Sequence, residues 1–407
     1  MKTIFNLALI VSTVGLLLNC AQYNPHLTST PGGSVWKFLP DYIPAPREFA
    51  DNPVTPEKVE LGRRLFYEKK LSGNGQMACA GCHIQKKAFA DGLTVPAGTT
   101  GQLHPRNSMS LVNLAFVPVL TWGNPLMRRL HTQALVPIFG ENPVELGLTG
   151  NENQFLEQMR SDADYLRLYK IAFPDHTDKV TMETTVLALE AFQRSLFSFN
   201  SAADKFEHGN TSALSESAKR GLNLFFSEKM ECFHCHGGIN FTSSIDTALH
   251  AEPEIDFSNN GLYNVDGNGA YPTGNTGIHE VTGRAADMGK FKAPTLRNIE
   301  VSAPYMHDGS IATLEAVVEH YARGGTLTPS GPKAGDGATN PFKSSFVAGF
   351  SATTQEKEDL VNYLKSLTDC DFLTNKNFSN PFPEGHANNN NSSLNQLEIT
   401  HPCYENP

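Results

Sequence analysis

The sequence predicts a mainly α-helical protein built from two similar units with long loops, and three observations predict it. A Cys-x-x-Cys-His run occurs twice, at Cys79-Ala80-Gly81-Cys82-His83 and at Cys232-Phe233-His234-Cys235-His236. Each run follows a segment with helix-start signals: Gly62-Arg63-Arg64-Leu65-Phe66 precedes the first and Gly221-Leu222-Asn223-Leu224-Phe225 the second. Apolar residues elsewhere recur at helical spacing. The chain has 407 residues, and the roughly 385 beyond its apolar start are too many for one core and suit two domains.

Taken in order, Lys2 is followed by an apolar stretch from Ile4 to Leu18. It is short for a membrane span and right for the apolar region of a signal peptide, so 1–19 read as a leader. The leader ends Leu17-Leu18-Asn19-Cys20, which resembles a lipobox with Cys20 as the acylated first residue; the Asn before the cysteine is unusual, and ordinary cleavage nearby is the other reading. Either way the chain is expected to be exported, facing the periplasm, with a lipid anchor under the first reading.

The first unit, 40–199, opens with Thr55 as N-cap and Pro56 at the first helical position. Helical patterns follow over Asn153–Phe173, interrupted near Asp162, and over Thr181–Phe199, a segment expected to link the units. The second unit, 200–369, opens at Ser215. Thr313 starts a helix over Leu314–Tyr321 and Thr354 one over Glu356–Leu367. The loops at 237–290 and 324–350 are long enough to be functional, wrapping a cofactor edge or forming a partner surface. Residues 370–407 form a tail containing the Asn-rich run Asn388–Asn391.

The repeated motif carries chemistry. Two thiols one helical turn apart reach the two vinyl groups of a porphyrin, and the next histidine lies beneath the iron, so the spacing attaches c-type haem. Zinc would require the two runs to meet. Cys79 and Cys82, with His83 as proximal ligand, are therefore expected to hold one covalent haem, and Cys232, Cys235 and His236 a second. Each unit then reads as cytochrome-c-like, with its Leu-Phe pair near the haem. Cys370 and Cys403 are left over, and a disulfide between them is the simple reading in an oxidising compartment. A formal charge of −10 argues against nucleic acid as a partner.

Further landmarks are Pro105-Arg106-Asn107-Ser108, Trp122, Gln133-Ala134-Leu135-Val136-Pro137, Pro143-Val144-Glu145-Leu146-Gly147, Lys292-Ala293-Pro294-Thr295-Leu296-Arg297-Asn298 and Ala303-Pro304-Tyr305-Met306-His307-Asp308-Gly309. In type, order and spacing they resemble the bacterial di-haem cytochrome c peroxidase and MauG superfamily over nearly the whole mature length. The resemblance implies two cytochrome-c-like haem domains with a calcium ion at their interface, held by Asn107 and the carbonyls of Ser302 and Pro304. It implies that the N-terminal haem meets hydrogen peroxide and the C-terminal haem relays or stores an electron hole. It makes Glu145 the distal acid/base, with Gln133 and Pro137 beside it and Trp122 as relay between the haems. Gly140-Glu141 is an insertion relative to the usual pattern and puts Glu141 forward as a rival. Trp36 has no counterpart.

Two departures choose a subfamily. Reductively activated peroxidases carry a capping histidine seven residues before the Pro-Arg-Asn arginine, and here that position is Thr99; His104 reads as a local hydrogen-bonding residue. In peroxidases a methionine ligates the second haem twenty-four residues after the Leu-Arg-Asn arginine, and here that position is Tyr321, with His320 and Met306 as rivals. A hard oxygen ligand favours oxidised iron. Both departures imply a MauG/MbnH-type enzyme that oxidises a partner protein with peroxide. The alternatives are a peroxidase drawing electrons from a small cytochrome, and a plain di-haem electron carrier.

Overall fold

The computed structural model describes residues 35–389 and 400–405. The expected leader and Cys20 lie outside the described residues, as do Asn390 and Asn391. The first unit contains α1 (Pro56–Phe66), α2 (Leu130–Phe139), α3 (Glu152–Ser161), α4 (Ala163–Ala172) and α5 (Met182–Arg194). The Thr55 hydroxyl accepts the Lys58 N–H at the start of α1, as expected. Asp162 splits α3 from α4 because its carboxylate accepts the N–H groups of Asp164 and Tyr165 and so starts a new helix. The pattern over Thr181–Phe199 is shorter as a helix: Thr181 and Thr184 form a capping box and α5 ends at Arg194. Nor does α5 act mainly as a linker, because it packs along α1 as a central core helix of the first unit.

The second unit contains α6 (Ala202–Glu207), α7 (Glu216–Phe225), α8 (Phe233–His236), α9 (His279–Thr282), α10 (Leu314–Arg323) and α11 (Thr354–Lys365). Ser215 and Thr313 cap α7 and α10 as read from the sequence. The cap of α11 is Thr353 rather than Thr354, since it is Thr353 that forms the reciprocal box with Glu356. The long loops carry little regular structure beyond α9 and a two-stranded antiparallel ladder of β1 (Leu327–Thr328) and β2 (Gly335–Asp336).

The two units repeat one construction. A Cβ on Gly62 would lie 1.9 Å from the Ala188 carbonyl oxygen on α5, and one on Gly221 would lie 2.0 Å from that of Asp359 on α11. Only glycine lets these helix pairs cross at backbone contact. One turn on, Phe66 meets Phe192 at 5.2 Å between ring centroids and Phe225 meets Tyr363 at 5.3 Å. The repeat continues past the helices. Asn113 N–H donates to the Leu196 carbonyl at 2.9 Å, and Asn298 N–H to that of Leu367 at 3.0 Å. Both asparagines have positive φ, 56° and 59°, which Asn tolerates better than most residues.

Each unit has its own buried cluster, and a third, smaller cluster around Phe116, Phe197 and Phe199 lies at the junction. The tail is part of the first core. Phe372 and Leu373 of α12 (Cys370–Thr374), together with Phe378, Phe382 and Cys403, are buried in it. Tyr67 donates to the Phe378 carbonyl at 2.8 Å. Cys370 and Cys403 are joined by a disulfide, which holds α13 (Pro402–Glu405) against α12.

Candidate active site

The two attachment motifs sit one in each unit, so they do not meet in a shared metal site. Cys79, Cys82, Cys232 and Cys235 form no disulfides. Burial pushes the thiols of Cys79, Cys82 and Cys232 up to about 12 and raises that of Cys235. The ring Nδ1 of His83 donates to the Phe89 carbonyl at 2.7 Å and that of His236 to the Phe241 carbonyl at 3.1 Å. That bond turns Nε2 of each ring outward as a lone-pair donor. Burial lowers both imidazole pKa values, which keeps the rings neutral as a metal ligand must be. The donor sets fit one covalent haem in each unit.

The second unit also shows the space such a group needs. A cleft of about 1570 Å³, mouth included, is lined by Cys232, Cys235, His236, Tyr321 and Met306, and also by Trp122, Asn107 and Lys292. The loop residues Ser258, Asn260, Phe346 and Val347 also line it, so both long loops reach this cavity. Tyr321 is half-buried, its pKa raised by desolvation while a hydrogen bond from Asn260 pulls the other way. Asn260 Nδ2 also lies 3.2 Å from the Met306 sulfur. His320 is absent from the lining, and its Nδ1 is tied to Thr326 Oγ1 at 2.7 Å.

In the first unit, Gln133 and Pro137 lie one turn apart on α2. The Pro137 carbonyl accepts the Leu146 N–H at 2.8 Å, which draws the Glu145 loop against the end of that helix. The charge of Glu145 adds in a minor way to the raised pKa of both Cys79 and Cys82, after burial. Burial pushes Glu145 itself up to about 6. Glu141 is exposed, paired by backbone with Val144. Thr99 donates its N–H to the Glu145 carbonyl at 2.8 Å.

His104 is the residue the sequence undersold. Its Nδ1 lies within hydrogen-bond distance of the Arg106 carbonyl and N–H, as expected, but its Nε2 also lies 3.8 Å from Glu145 Oε1. No spacing rule signals that pairing. Trp122 is half-buried between the units: it belongs to the first by sequence and packs on the second core, with its Nε1 donating to the Asn107 carbonyl at 2.9 Å. Trp36 instead packs at the first core and the junction, against Phe197.

Comparison with known proteins places this architecture. Residues 56–212 match the family model described as di-haem cytochrome c peroxidase. The methylamine utilization protein MauG of Methylorubrum extorquens is 31 % identical over 331 residues, covering 81 % of this chain and 82 % of MauG. The chain belongs to the di-haem cytochrome c peroxidase and MauG family. Cytochrome-c peroxidase IdrP1 of Denitromonas iodatirespirans is likewise 31 % identical, over 80 % of this chain and 84 % of its own. A solved MauG-like protein associated with microbial copper homeostasis superposes with a TM-score of 0.83 at 46 % identity, covering 85 % of this chain and 99 % of that one. Membership makes this a peroxidase-type oxidoreductase with two c-type haems and the mainly helical fold of the family. No helix among the described residues is long and apolar enough to cross a membrane.

Proposed function

We propose that this enzyme reduces hydrogen peroxide with two electrons taken from a residue of a partner protein, in the MauG/MbnH manner, and that it works in the periplasm, anchored through Cys20. One observation carries the choice over a cytochrome-fed peroxidase. Tyr321 stands in the second cavity, and the rival Met306 sulfur is engaged by Asn260. A phenol oxygen favours oxidised iron, which suits storage of an oxidising equivalent better than electron entry.

The haems, when bound, supply the redox chemistry; the two electrons and two protons that convert peroxide to two waters come through the protein. His83 and His236 would each hold one haem iron. Glu145 takes a proton from incoming peroxide and returns it to the departing oxygen, with His104 as its neighbour in the same pocket. Gln133 and Pro137 shape the space above that position. Trp122 passes electrons from the second cavity toward the first. Thr99 stands where a capping histidine would be and offers no such ligand. Asn107 presents its side-chain oxygen, and Ser302 and Pro304 their carbonyls, to a calcium ion. Asn107 spends its amide nitrogen on the Leu93 carbonyl at 2.8 Å, which leaves the amide oxygen facing the other way. The Ser302 and Pro304 carbonyls accept no backbone hydrogen bond among the described residues.

The test is peroxide mixed with the fully oxidised protein. Rapid absorbance change at both haems, with high-spin iron in the resting EPR spectrum, is expected. A protein inert until one haem is reduced is a reductively activated peroxidase, and one with low-spin iron alone is an electron carrier. The 46 % identical protein tied to copper homeostasis suggests an exported copper-handling protein as the partner to try first.

A further inference from the structure

The internal repeat extends across the interface between the units, and there it relates residues that no motif pairs. Counting from the equivalent asparagines, Asn113 and Asn298, Asn107 corresponds to Lys292, each six residues before. Val119 corresponds to Pro304, six after, and Trp122 to His307, nine after. The hydrogen bonds obey this correspondence. Asn107 N–H donates to the His307 carbonyl at 2.9 Å, and Lys292 N–H donates to the Trp122 carbonyl at 2.9 Å. Each unit thus reaches across and holds its partner's loop through the same bond. Between the units' corresponding carbonyls the likeness continues. Ser302 and Pro304 are the carbonyls proposed to face calcium beside Asn107. Their counterparts are Val117 and Val119, and the Lys292 ammonium donates to the Val119 carbonyl at 2.6 Å.

We infer that the interface holds two repeat-related cation positions, and that the Lys292 ammonium is the built-in occupant of the second, where it positions Trp122. Lys292 is 4 % exposed, and its ammonium donates to the Val119 carbonyl. Its backbone and side chain together clasp both ends of the Val119–Trp122 segment. On one side a metal is recruited by an amide oxygen; on the other a lysine brings its own charge and needs none. The calcium half rests on the function proposed above, whereas the clasp on Trp122 does not.

The experiment uses the two-haem protein, stripped of calcium, at pH 6. This lies below the value of about 7 to which burial lowers the ammonium, so the charge is present. Calcium binding is titrated, and the rate of peroxide-driven change at the second haem is measured. Wild type should bind one calcium. Lys292→Met should bind one and slow the second-haem change by roughly tenfold or more, because a relay displaced by even 1 Å loses rate steeply; added calcium should not restore it. Lys292→Asn recreates the Asn107 arrangement and should bind two, with calcium restoring the rate. A purely structural lysine would show no such metal rescue. The inference is overturned if Lys292→Met relays at the wild-type rate, or if Lys292→Asn binds one calcium and stays slow. A wild type that binds none removes the calcium reading alone, and the Lys292→Met rate still decides the clasp.

Discussion

Glu145 is the side chain on which the proposed peroxide step turns, and its environment sets a pH dependence. Burial raises its carboxyl to about 6, and a base must be ionised to accept a proton. The rate of reaction between oxidised protein and peroxide should therefore climb as pH rises through 6 and level off above it. Glu145→Gln should lower that rate by ~10²–10⁴ and abolish the inflection; stopped-flow absorbance across pH 5 to 8 reads both. The same shift has a stability consequence of known sign. A carboxyl with a raised folded-state pKa binds its proton more tightly in the native state, so its ionisation costs stability as pH rises through 6. Before any discount for partial exposure, the cost is at most about 2 kcal/mol. Glu145→Gln should thus melt no lower than wild type at pH 7, which separates a catalytic loss from a folding loss. Tyr321→Phe addresses the other cavity. It removes the phenol at the expected ligand position, so the low-spin signal of the second haem should disappear while peroxide still reacts at the first. An unchanged spectrum would move the ligand role to Met306, whose sulfur lies within reach of Asn260.

Elements meet at two glycines, and there the packing tolerates nothing larger. Gly62→Ala would place a methyl group 1.9 Å from the Ala188 carbonyl oxygen, and Gly221→Ala one 2.0 Å from that of Asp359. Both neighbours are helical backbone, which cannot rotate away as a side chain would. Each substitution should force its helix pair apart at a cost of about 1–3 kcal/mol or more, seen as a lower melting temperature and poorer haem retention in the affected unit. An unaltered melt for either would show that the crossing is looser than drawn. The tail offers a second element-scale test. The Cys370–Cys403 bridge closes a separation of 33 residues, for which chain entropy predicts up to roughly 4 kcal/mol. Replacing both cysteines by serine should lower the stability of the first unit, because Phe372, Leu373 and Phe378 are in its core. Its haem spectrum should respond before that of the second unit.

At the scale of the whole molecule, the function depends on two units held in register. Trp122 belongs to one unit by sequence and packs on the core of the other. Its indole nitrogen bonds to Asn107, which in turn bonds His307 across the interface. Chelation of calcium, or Asn107→Ala, should therefore change the second-haem spectrum and slow hole sharing, while leaving peroxide binding at the first intact. Complete indifference to both treatments would remove calcium from the account.

Much of this molecule was legible in its residues because its chemistry is local. Cys-x-x-Cys-His needs only one helical turn to define a haem attachment, so both attachment motifs and the repeat of two helical units are legible in the chain alone. Helix starts at Thr55, Ser215 and Thr313 were equally plain, since a cap acts on N–H groups three residues away. Tertiary structure alone decided what depends on distant segments meeting. It placed α5 against α1 rather than between the units, and it took the tail into the first core. It left Glu141 exposed and Glu145 half-buried, with the His104 ring 3.8 Å away. It also set Lys292 on Val119 and Trp122, more than 160 residues away in the chain. No spacing rule reports a contact of that range, because the free energy that forms it comes from burying two units against each other rather than from any run of neighbouring residues.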